Sequence, residues 1–340
     1  MKLKVTLVVV GIIFSGCSFD SSKFVPEFLQ KSAGHSTDQY STKINKEAIN
    51  VIRDGVTFSD GSYITPQGEG EIILPKGYYY VSSYGGRIMA ANKNGEMLIL
   101  KSNGEELARV KLDAPLVTGV AYDRGVAYLL QGNKIGLYDP FKKKIYYQKE
   151  LKGGSVIDNR LANPIVTRDF IAIPTLDGKL VFITLNVATT PKVLEADTIK
   201  TYSNIIYAKI VNGKIVLATP HRIIILANGG KKEYRAKVAD LTIKNGIIYL
   251  LTRDGKVEKL TLDLEPIAVK KFAYADFATI AAFDGKVYAF AKSGSLVVLD
   301  DNLQKHKVYS VGAAHSYSYV SGKYLYIDDR KVDLSALSYE

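Results

Sequence analysis

Histidines are the residues of this 340-residue chain best suited to acid–base or metal chemistry, and there are four of them. None belongs to an HxxxH or HExxH pair, the spacings that place two imidazoles on one metal ion. The chain also has a single cysteine, which excludes an internal disulfide framework and a cysteine-based zinc cluster. A transition-metal site is therefore not expected. These five residues are His35, His221, His306, His315 and Cys17.

Acidic and glycine pairs are the next candidates for chemistry. Asp300-Asp301 and Asp328-Asp329 do not continue into the spaced oxygen ligands of a calcium loop, and they are better explained as turn residues. Gly85-Gly86 lacks the lysine and hydroxyl residue of a phosphate-binding loop, and no G-x-S-x-G elbow occurs. We expect no catalytic residue, no metal and no cofactor, although convergence of distant residues in space stays open.

The segment before Cys17 has the layout of a secretory signal peptide. Lys2 and Lys4 precede an apolar run over residues 5–14, and small residues stand directly before the cysteine. An ordinary signal peptide with an incidental cysteine is the alternative. The segment resembles a bacterial lipoprotein signal with its lipobox, although Phe14 replaces the usual leucine. The resemblance implies cleavage before Cys17 and its lipidation, and Ser18 favours the outer membrane.

These features predict three parts of the chain. Residues 1–16 are the lipoprotein signal peptide, residues 17–53 a lipidated flexible tether, and residues 54–340 a folded domain. A helical turn is expected near Val25–Gln30. A flexible tether of this length has a root-mean-square span of roughly 30 Å, enough to hold the domain away from the bilayer.

The net charge of +11 favours anionic surfaces, and export makes nucleic acid an unexpected partner. Lysines cluster in segments that are predicted to be outer strands and turns. This arrangement suits a basic rim for anionic partners, but lysines also protect exposed strand edges from aggregation, and we favour this second explanation. The clusters are Lys142-Lys143-Lys144, Lys231-Lys232, Lys270-Lys271, and Lys305 with Lys307.

The segment Asp284–Asp300 reads as a β-hairpin, and similar hairpins recur along the chain. Asp284-Gly285 and Ser293-Gly294 supply turns around two apolar strands. Seven such units begin 33 to 44 residues apart, and each is accompanied by an earlier apolar strand and a later charged strand. Four strands in about 40 residues are typical of a β-propeller blade. The fold is therefore predicted to be all-β.

Seven blades of four antiparallel strands are predicted, closed by pairing of N-terminal and C-terminal strands. The last unit lacks a fourth strand, and Glu71-Ile72-Ile73-Leu74 is expected to supply it. Val56–Thr65 reads as one more hairpin around Asp60-Gly61, so a propeller of eight blades is the alternative.

The repeat of Asp-Gly-Lys, apolar strand, turn and apolar strand resembles the quinoprotein-type (PQQ-like) propeller repeat. Together with the lipobox, it is similar to the propeller lipoprotein of the outer-membrane β-barrel assembly machinery. This resemblance implies a noncatalytic, lipid-anchored scaffold facing the periplasm with an envelope protein as partner. Quinoprotein repeats contain a docking tryptophan, and this chain has none, which argues against a quinone-dependent dehydrogenase. No functional residue of either family can be transferred.

The leading prediction is an outer-membrane scaffold or binding protein that is not an enzyme. The alternative is an enzyme or small-ligand receptor that uses the central funnel of the propeller, and the identity of any small molecule is open. A cell-surface adhesion protein is a third alternative. His315, which opens the last repeat, is the one side chain that we expect at the channel or at a partner contact.

Overall fold

The computed structural model describes residues 35–123, 125–154, 160–185, 189–197, 203–227 and 230–340. In these ranges the strands form eight four-stranded sheets, and every strand pairing within them is antiparallel. Adjacent sheets pack face to face through shared clusters of buried apolar side chains. The protein is therefore an eight-bladed β-propeller.

The bounds of the strands follow the order of the chain. One short strand, β1 (Ser41–Lys43), precedes the first blade. Blades 1 to 4 contain β2 (Ala48–Ile52), β3 (Gly55–Phe58), β4 (Tyr63–Thr65), β5 (Gly68–Glu69); β6 (Tyr78–Tyr84), β7 (Arg87–Asn92), β8 (Glu96–Lys101), β9 (Glu106–Lys111); β10 (Leu116–Tyr122), β11 (Gly125–Leu130), β12 (Lys134–Asp139), β13 (Lys144–Glu150); β14 (Ile165–Val166), β15 (Phe170–Pro174), β16 (Lys179–Thr184) and β17 (Lys192–Glu195). Blades 5 to 8 contain β18 (Tyr207–Val211), β19 (Lys214–Thr219), β20 (Arg222–Ala227), β21 (Gly230–Arg235); β22 (Val238–Lys244), β23 (Ile247–Thr252), β24 (Lys256–Thr261), β25 (Pro266–Lys271); β26 (Phe277–Phe283), β27 (Lys286–Ala291), β28 (Ser295–Asp300), β29 (His306–Ser310); β30 (Ser318–Ser321), β31 (Tyr324–Ile327) and β32 (Arg330–Asp333). Short 3₁₀ turns cover Asp38–Tyr40 and Leu334–Ala336.

Each blade runs outward from its innermost strand, so its connections alternate between two faces of the ring. The connecting face carries the links between blades and the turns between second and third strands, and the opposite face carries the other turns. On the opposite face, Asp284 and Gly285 have φ of 49° and 70°, the two positive values that a tight hairpin turn needs. The hairpin predicted at Asp284–Asp300 is confirmed as β27 and β28.

Burial explains why the central strands are so apolar. All six residues of β11 are buried because its sheet is covered by a neighbouring blade on each face. The outermost strand β13 is almost wholly exposed, and it carries charged residues accordingly. The core thus lies between blades, and each blade contributes to two layers of it.

The prediction of seven blades is wrong, and the alternative of eight is correct. The hairpin predicted at Val56–Thr65 supplies β3 and β4 of the additional blade. Glu71–Leu74 forms no strand; its Leu74 N–H donates to the carbonyl of Gly61 within blade 1 at 2.9 Å. The ring is closed instead by β1, which pairs with β32 as the outermost strand of blade 8. N-terminal closure was predicted correctly, but with the wrong segment.

The predicted tether also extends too far. Residues 41–43 and 48–52 are propeller strands, and the carbonyl of His35 accepts a hydrogen bond from Ser310 at 2.8 Å. The described chain is therefore part of the propeller from residue 35 onward. The predicted signal peptide, Cys17 and the turn at Val25–Gln30 lie outside the described residues. In the described part of the chain, no helix has the length and apolarity needed to cross a membrane.

Candidate functional site

A cavity of about 1640 Å³ follows the central channel of the propeller. The inner strands β18, β22, β26 and β30 line it over much of their lengths, together with the turn that joins β2 to β3. Both apolar and charged side chains face this space. The channel is therefore the first place to look for a ligand or a reaction.

The turn between β2 and β3 reaches across the channel. Its Arg53 forms an ion pair with Asp240 of blade 6, and its second guanidinium nitrogen donates to the carbonyl of Leu241 at 2.9 Å. The guanidinium also lies 5.1 Å from the ring centre of Tyr207 in blade 5. Burial alone would lower the pKa of Arg53, but Asp240 raises it above its ordinary value, so the charge is retained. This turn, Arg53-Asp54, is called the cross-channel turn below.

Asp54 holds the other side of the cross-channel turn. One of its carboxylate oxygens accepts a hydrogen bond from the Asn163 side chain at 2.8 Å. The Asn163 amide also donates to the carbonyl of Val81 at 3.3 Å, and its oxygen accepts from the Thr118 hydroxyl. One polar network thus connects blades 1 to 4 across the channel.

Tyrosine hydroxyls complete this polar centre. Burial raises the pKa of Tyr207 to about 12, with Arg53 opposing the shift, and it raises the pKa of Tyr319 well above its usual value. Both phenols therefore stay protonated at neutral pH. Neither is able to act as a general base there.

Charges along the channel are unequal in number. Six lysines and arginines line the cavity, but only three aspartates do. Asp240 is bound by Arg53, Asp54 by Asn163, and Asp276 by the Ser293 hydroxyl at 2.8 Å. All three carboxylates therefore have internal hydrogen-bond partners, whereas the arrangement expected of an acid–base pair is two carboxylates facing a substrate space.

His315 lies at the connecting face, close to the channel mouth. Its side chain is exposed, and its backbone N–H donates to Asp328 at 2.8 Å. The adjacent Ser316 lines the cavity, but His315 itself does not. A contact of His315 with a partner therefore stays a prediction.

Of the other three histidines, His35 and His306 both lie at β29 of blade 7, and His221 lies in blade 5. His35 packs near Tyr309, His306 contacts the Phe272 ring edge-to-face, and His221 bonds Asp197 at 3.0 Å. Within the described ranges, no three His, Cys, Asp or Glu side chains converge as metal ligands.

Sequence reasoning missed the cross-channel network. The available signal was the presence of Asp240 and Thr118 in otherwise apolar inner strands, and Arg53 lay in the predicted tether. A buried polar residue in such a strand needs a hydrogen-bonding partner, but the sequence does not indicate which blade provides it.

Comparisons with known proteins agree with the fold and give distant relatives. No protein-family model matches the chain. The plasminogen-binding protein PgbB of Helicobacter pylori strain 26695 is 22% identical over 366 residues, covering 94% of this chain and 66% of that protein. PgbB of strain J99 is 26% identical over 205 residues, covering 59% of this chain and 38% of that protein. The chain thus spans between about two fifths and two thirds of these relatives.

Among solved structures, BamB from Moraxella catarrhalis has a similar fold. The TM-score is 0.63 at 13% sequence identity, and the alignment covers 86% of this chain and 97% of BamB. The predicted resemblance in fold is therefore confirmed. Lipidation and the PQQ-like nature of the repeats stay predictions.

Proposed function

We propose that this protein is a noncatalytic binding protein of the bacterial envelope, with a lipid anchor at Cys17 and a protein partner on the propeller. The observation that carries the proposal is the polar network of the channel, in which Arg53 of blade 1 pairs with Asp240 of blade 6 and Asp54 accepts a hydrogen bond from Asn163. These contacts give the charged groups a structural role between blades, which supports a binding protein over an enzyme. The distant similarity to PgbB and the fold of BamB support a binding role.

The most specific form of this proposal is a scaffold of outer-membrane barrel assembly, facing the periplasm. The links on the connecting face are the best candidates for the contact surface. Ile73 and Tyr274 in these links are 65% and 74% exposed, and large exposed apolar side chains often anchor protein interfaces.

The test is to purify the tagged full-length protein from detergent-solubilised membranes and to identify the envelope proteins that remain bound. Ile73→Ser and Tyr274→Ser together should release the partner while the thermal midpoint stays unchanged. Ile267→Ser with Val269→Ser, which changes two exposed residues of the outer strand β25, is the matched control. A protein that retains no partner, or equal loss with both pairs, would contradict the proposal.

Lipidation is tested separately by metabolic labelling with palmitate. Wild-type protein should incorporate the label and fractionate with the outer membrane, and Cys17→Ser should do neither. Label in Cys17→Ser would contradict the predicted anchor.

A second candidate function is display on the cell surface, which the similarity to a plasminogen-binding protein favours. Protease treatment of intact cells should then remove the propeller, and the purified protein should bind immobilised plasminogen. Protection from protease in intact cells, with digestion only after the outer membrane is opened, would contradict surface display and support a periplasmic location.

A further inference from the structure

The turn that joins β12 to β13 in blade 3 combines basic and apolar side chains in an unusual way. Phe141, Ile145 and Tyr146 are 57%, 52% and 48% exposed. Lys142, Lys143 and Lys144 are exposed among them. We call residues 141–146 the blade 3 turn; it lies on the opposite face of the ring, at its outer rim.

The lysines of the blade 3 turn form no ion pair with any described residue, in contrast to the cluster of Lys231 and Lys232. Lys231 lies 2.5 Å from Glu233, and Lys232 lies 3.0 Å from Asp263. In the blade 3 turn the neighbouring acid, Asp139, accepts the backbone N–H groups of Phe141 and Lys142 at 2.9 and 3.0 Å. Asp139 therefore fixes the turn, and three positive charges face solvent together.

The backbone of the turn is itself unfavourable. Lys143 has a φ of 51°, a left-handed conformation that glycine or asparagine adopts more easily. A lysine is thus placed at the tip of the turn although glycine would suit the backbone better. Such a position is consistent with a function for the side chain at the expense of local stability.

The shape and charge of the turn indicate the kind of surface that it fits. A protruding hairpin turn offers no groove for a peptide, but a bilayer surface needs no groove. Lysines attract anionic headgroups, while aromatic and aliphatic side chains enter the interface between headgroups and acyl chains. The outer strand of blade 6 exposes Ile267 and Val269 too, but the turn before it carries Asp263 and Glu265.

We propose that the blade 3 turn is a membrane-docking element that binds anionic phospholipid bilayers, with Phe141 inserted into the interface. This contact is independent of the lipid anchor, and it orients the propeller with its opposite face towards the bilayer. The connecting face, with Tyr274, then points away from the membrane.

The test uses residues 35–340 without a lipid, because all eight blades and the closing strand lie in this range. The protein is sedimented with vesicles of phosphatidylcholine, or of an equimolar mixture of phosphatidylcholine and phosphatidylglycerol. Binding should require phosphatidylglycerol and weaken as salt is raised, since screening shortens the range of the attraction. Equal binding to both vesicles, or no binding to either, would overturn the proposal.

The triple variant Lys142→Gln, Lys143→Gln, Lys144→Gln should bind anionic vesicles about a hundredfold more weakly, because each lysine near such a surface contributes about a fivefold gain. The matched control, Lys214→Gln, Lys231→Gln, Lys232→Gln, changes the net charge equally but removes ion-paired lysines. Its affinity should fall by less than about threefold. Equal losses in both triple variants would show that only net charge matters.

Lys143→Gly separates docking from folding. Glycine should raise or preserve the thermal midpoint because it relieves the left-handed backbone, yet binding to anionic vesicles should fall about fivefold. Unchanged binding would remove Lys143 from the proposed element.

The absence of tryptophan from the chain allows a direct measure of insertion. The single tryptophan of the Phe141→Trp variant should shift its emission to shorter wavelength on anionic vesicles and be quenched by brominated lipids. Tyr274→Trp, on the connecting face, should show neither change. Unshifted tryptophan emission from vesicle-bound Phe141→Trp protein would refute insertion, and capture of an acidic protein without vesicle binding would assign the turn to a protein partner.

Discussion

Replacing Arg53 with methionine should destabilise the propeller by about 3–5 kcal/mol, the usual cost of removing one partner of a buried ion pair. The Arg53 and Asp240 side chains are only 14% and 9% exposed, so the substitution leaves the Asp240 carboxylate poorly hydrated and without its partner. The substitution also removes the hydrogen bond to Leu241 and the contact with Tyr207. Methionine retains part of the apolar packing of the arginine stem.

A double-mutant cycle isolates the ion pair from these other contacts. Asp240→Leu removes the acceptor of the Ile280 N–H, which costs about 1–3 kcal/mol in the single and double variants alike. This cost cancels in the coupling energy. The double variant removes both charges of this pair and strands neither of them, so it should be at least about 2 kcal/mol more stable than the sum of single effects predicts.

The assay is urea unfolding followed by far-ultraviolet circular dichroism at neutral pH, after reversibility has been established. The surface pair of Lys46 and Asp60, 3.0 Å apart with side chains 44% and 47% exposed, supplies the control cycle. Its coupling energy should stay below about 1 kcal/mol. A coupling between Arg53 and Asp240 no larger than that of the control would refute the structural role of the cross-channel turn.

Three further predictions concern other parts of the ring. Burial would raise the pKa of Asp328, but hydrogen bonds from residues 315–317 lower this pKa below the ordinary value of 3.8. The ionised Asp328 therefore stabilises the fold fully above about pH 4, and this stabilisation is lost as pH falls through the folded-state pKa. Asp328→Asn should flatten the fall of the thermal midpoint in that acidic range, and an unchanged profile would contradict this assignment. Thr42→Pro removes a backbone donor from the middle of β1 and should make blade 8 sensitive to limited proteolysis, whereas cleavage identical to wild type would show that β1 does not secure closure. In Gly55→Ala the added methyl would lie 2.6 Å from the Tyr80 ring and should cost about 1–3 kcal/mol on urea unfolding, whereas Gly230→Ala, with no atom within 4 Å, is the control that should change little.

The repeating hairpins were predictable because each carries its own local signal. The Asp284-Gly285 turn has the positive φ angles that its residue types favour, and the two strands that follow it, β27 and β28, are mostly apolar. These features depend only on neighbouring residues. They identify blades wherever they occur in full.

The number of blades and the closing strand depended on weaker signals. β1 has three residues, and β5 has two, too few to show an alternating pattern. Glu71–Leu74 looked more like a strand than either, but Leu74 belongs to the link between blades 1 and 2 and is buried in the apolar cluster that these blades share. Pairing across the closure depends on partners almost 290 residues away, and local propensity contains no information about them.

The same limit applies to the channel. Arg53 is an ordinary charged residue in the sequence, and only the ring brings it to Asp240 of blade 6. The blade 3 turn differs from the channel network, because its three consecutive lysines are recognisable as a cluster in the sequence. What the structure adds there is that its three lysines lack ion pairs with described residues whereas Lys231 and Lys232 have them.

The position of β1 also bears on when the protein can fold. β1 is made before any blade, but its partner β32 is made last, so the ring cannot close until nearly the whole chain has been synthesised. Contacts between such distant parts of a sequence form slowly. Until then blade 8 lacks its outer strand, and the inter-blade cluster that joins Val56 to Tyr319 stays open. The incomplete ring therefore exposes apolar surface and strand edges, the features that make a folding intermediate prone to aggregation.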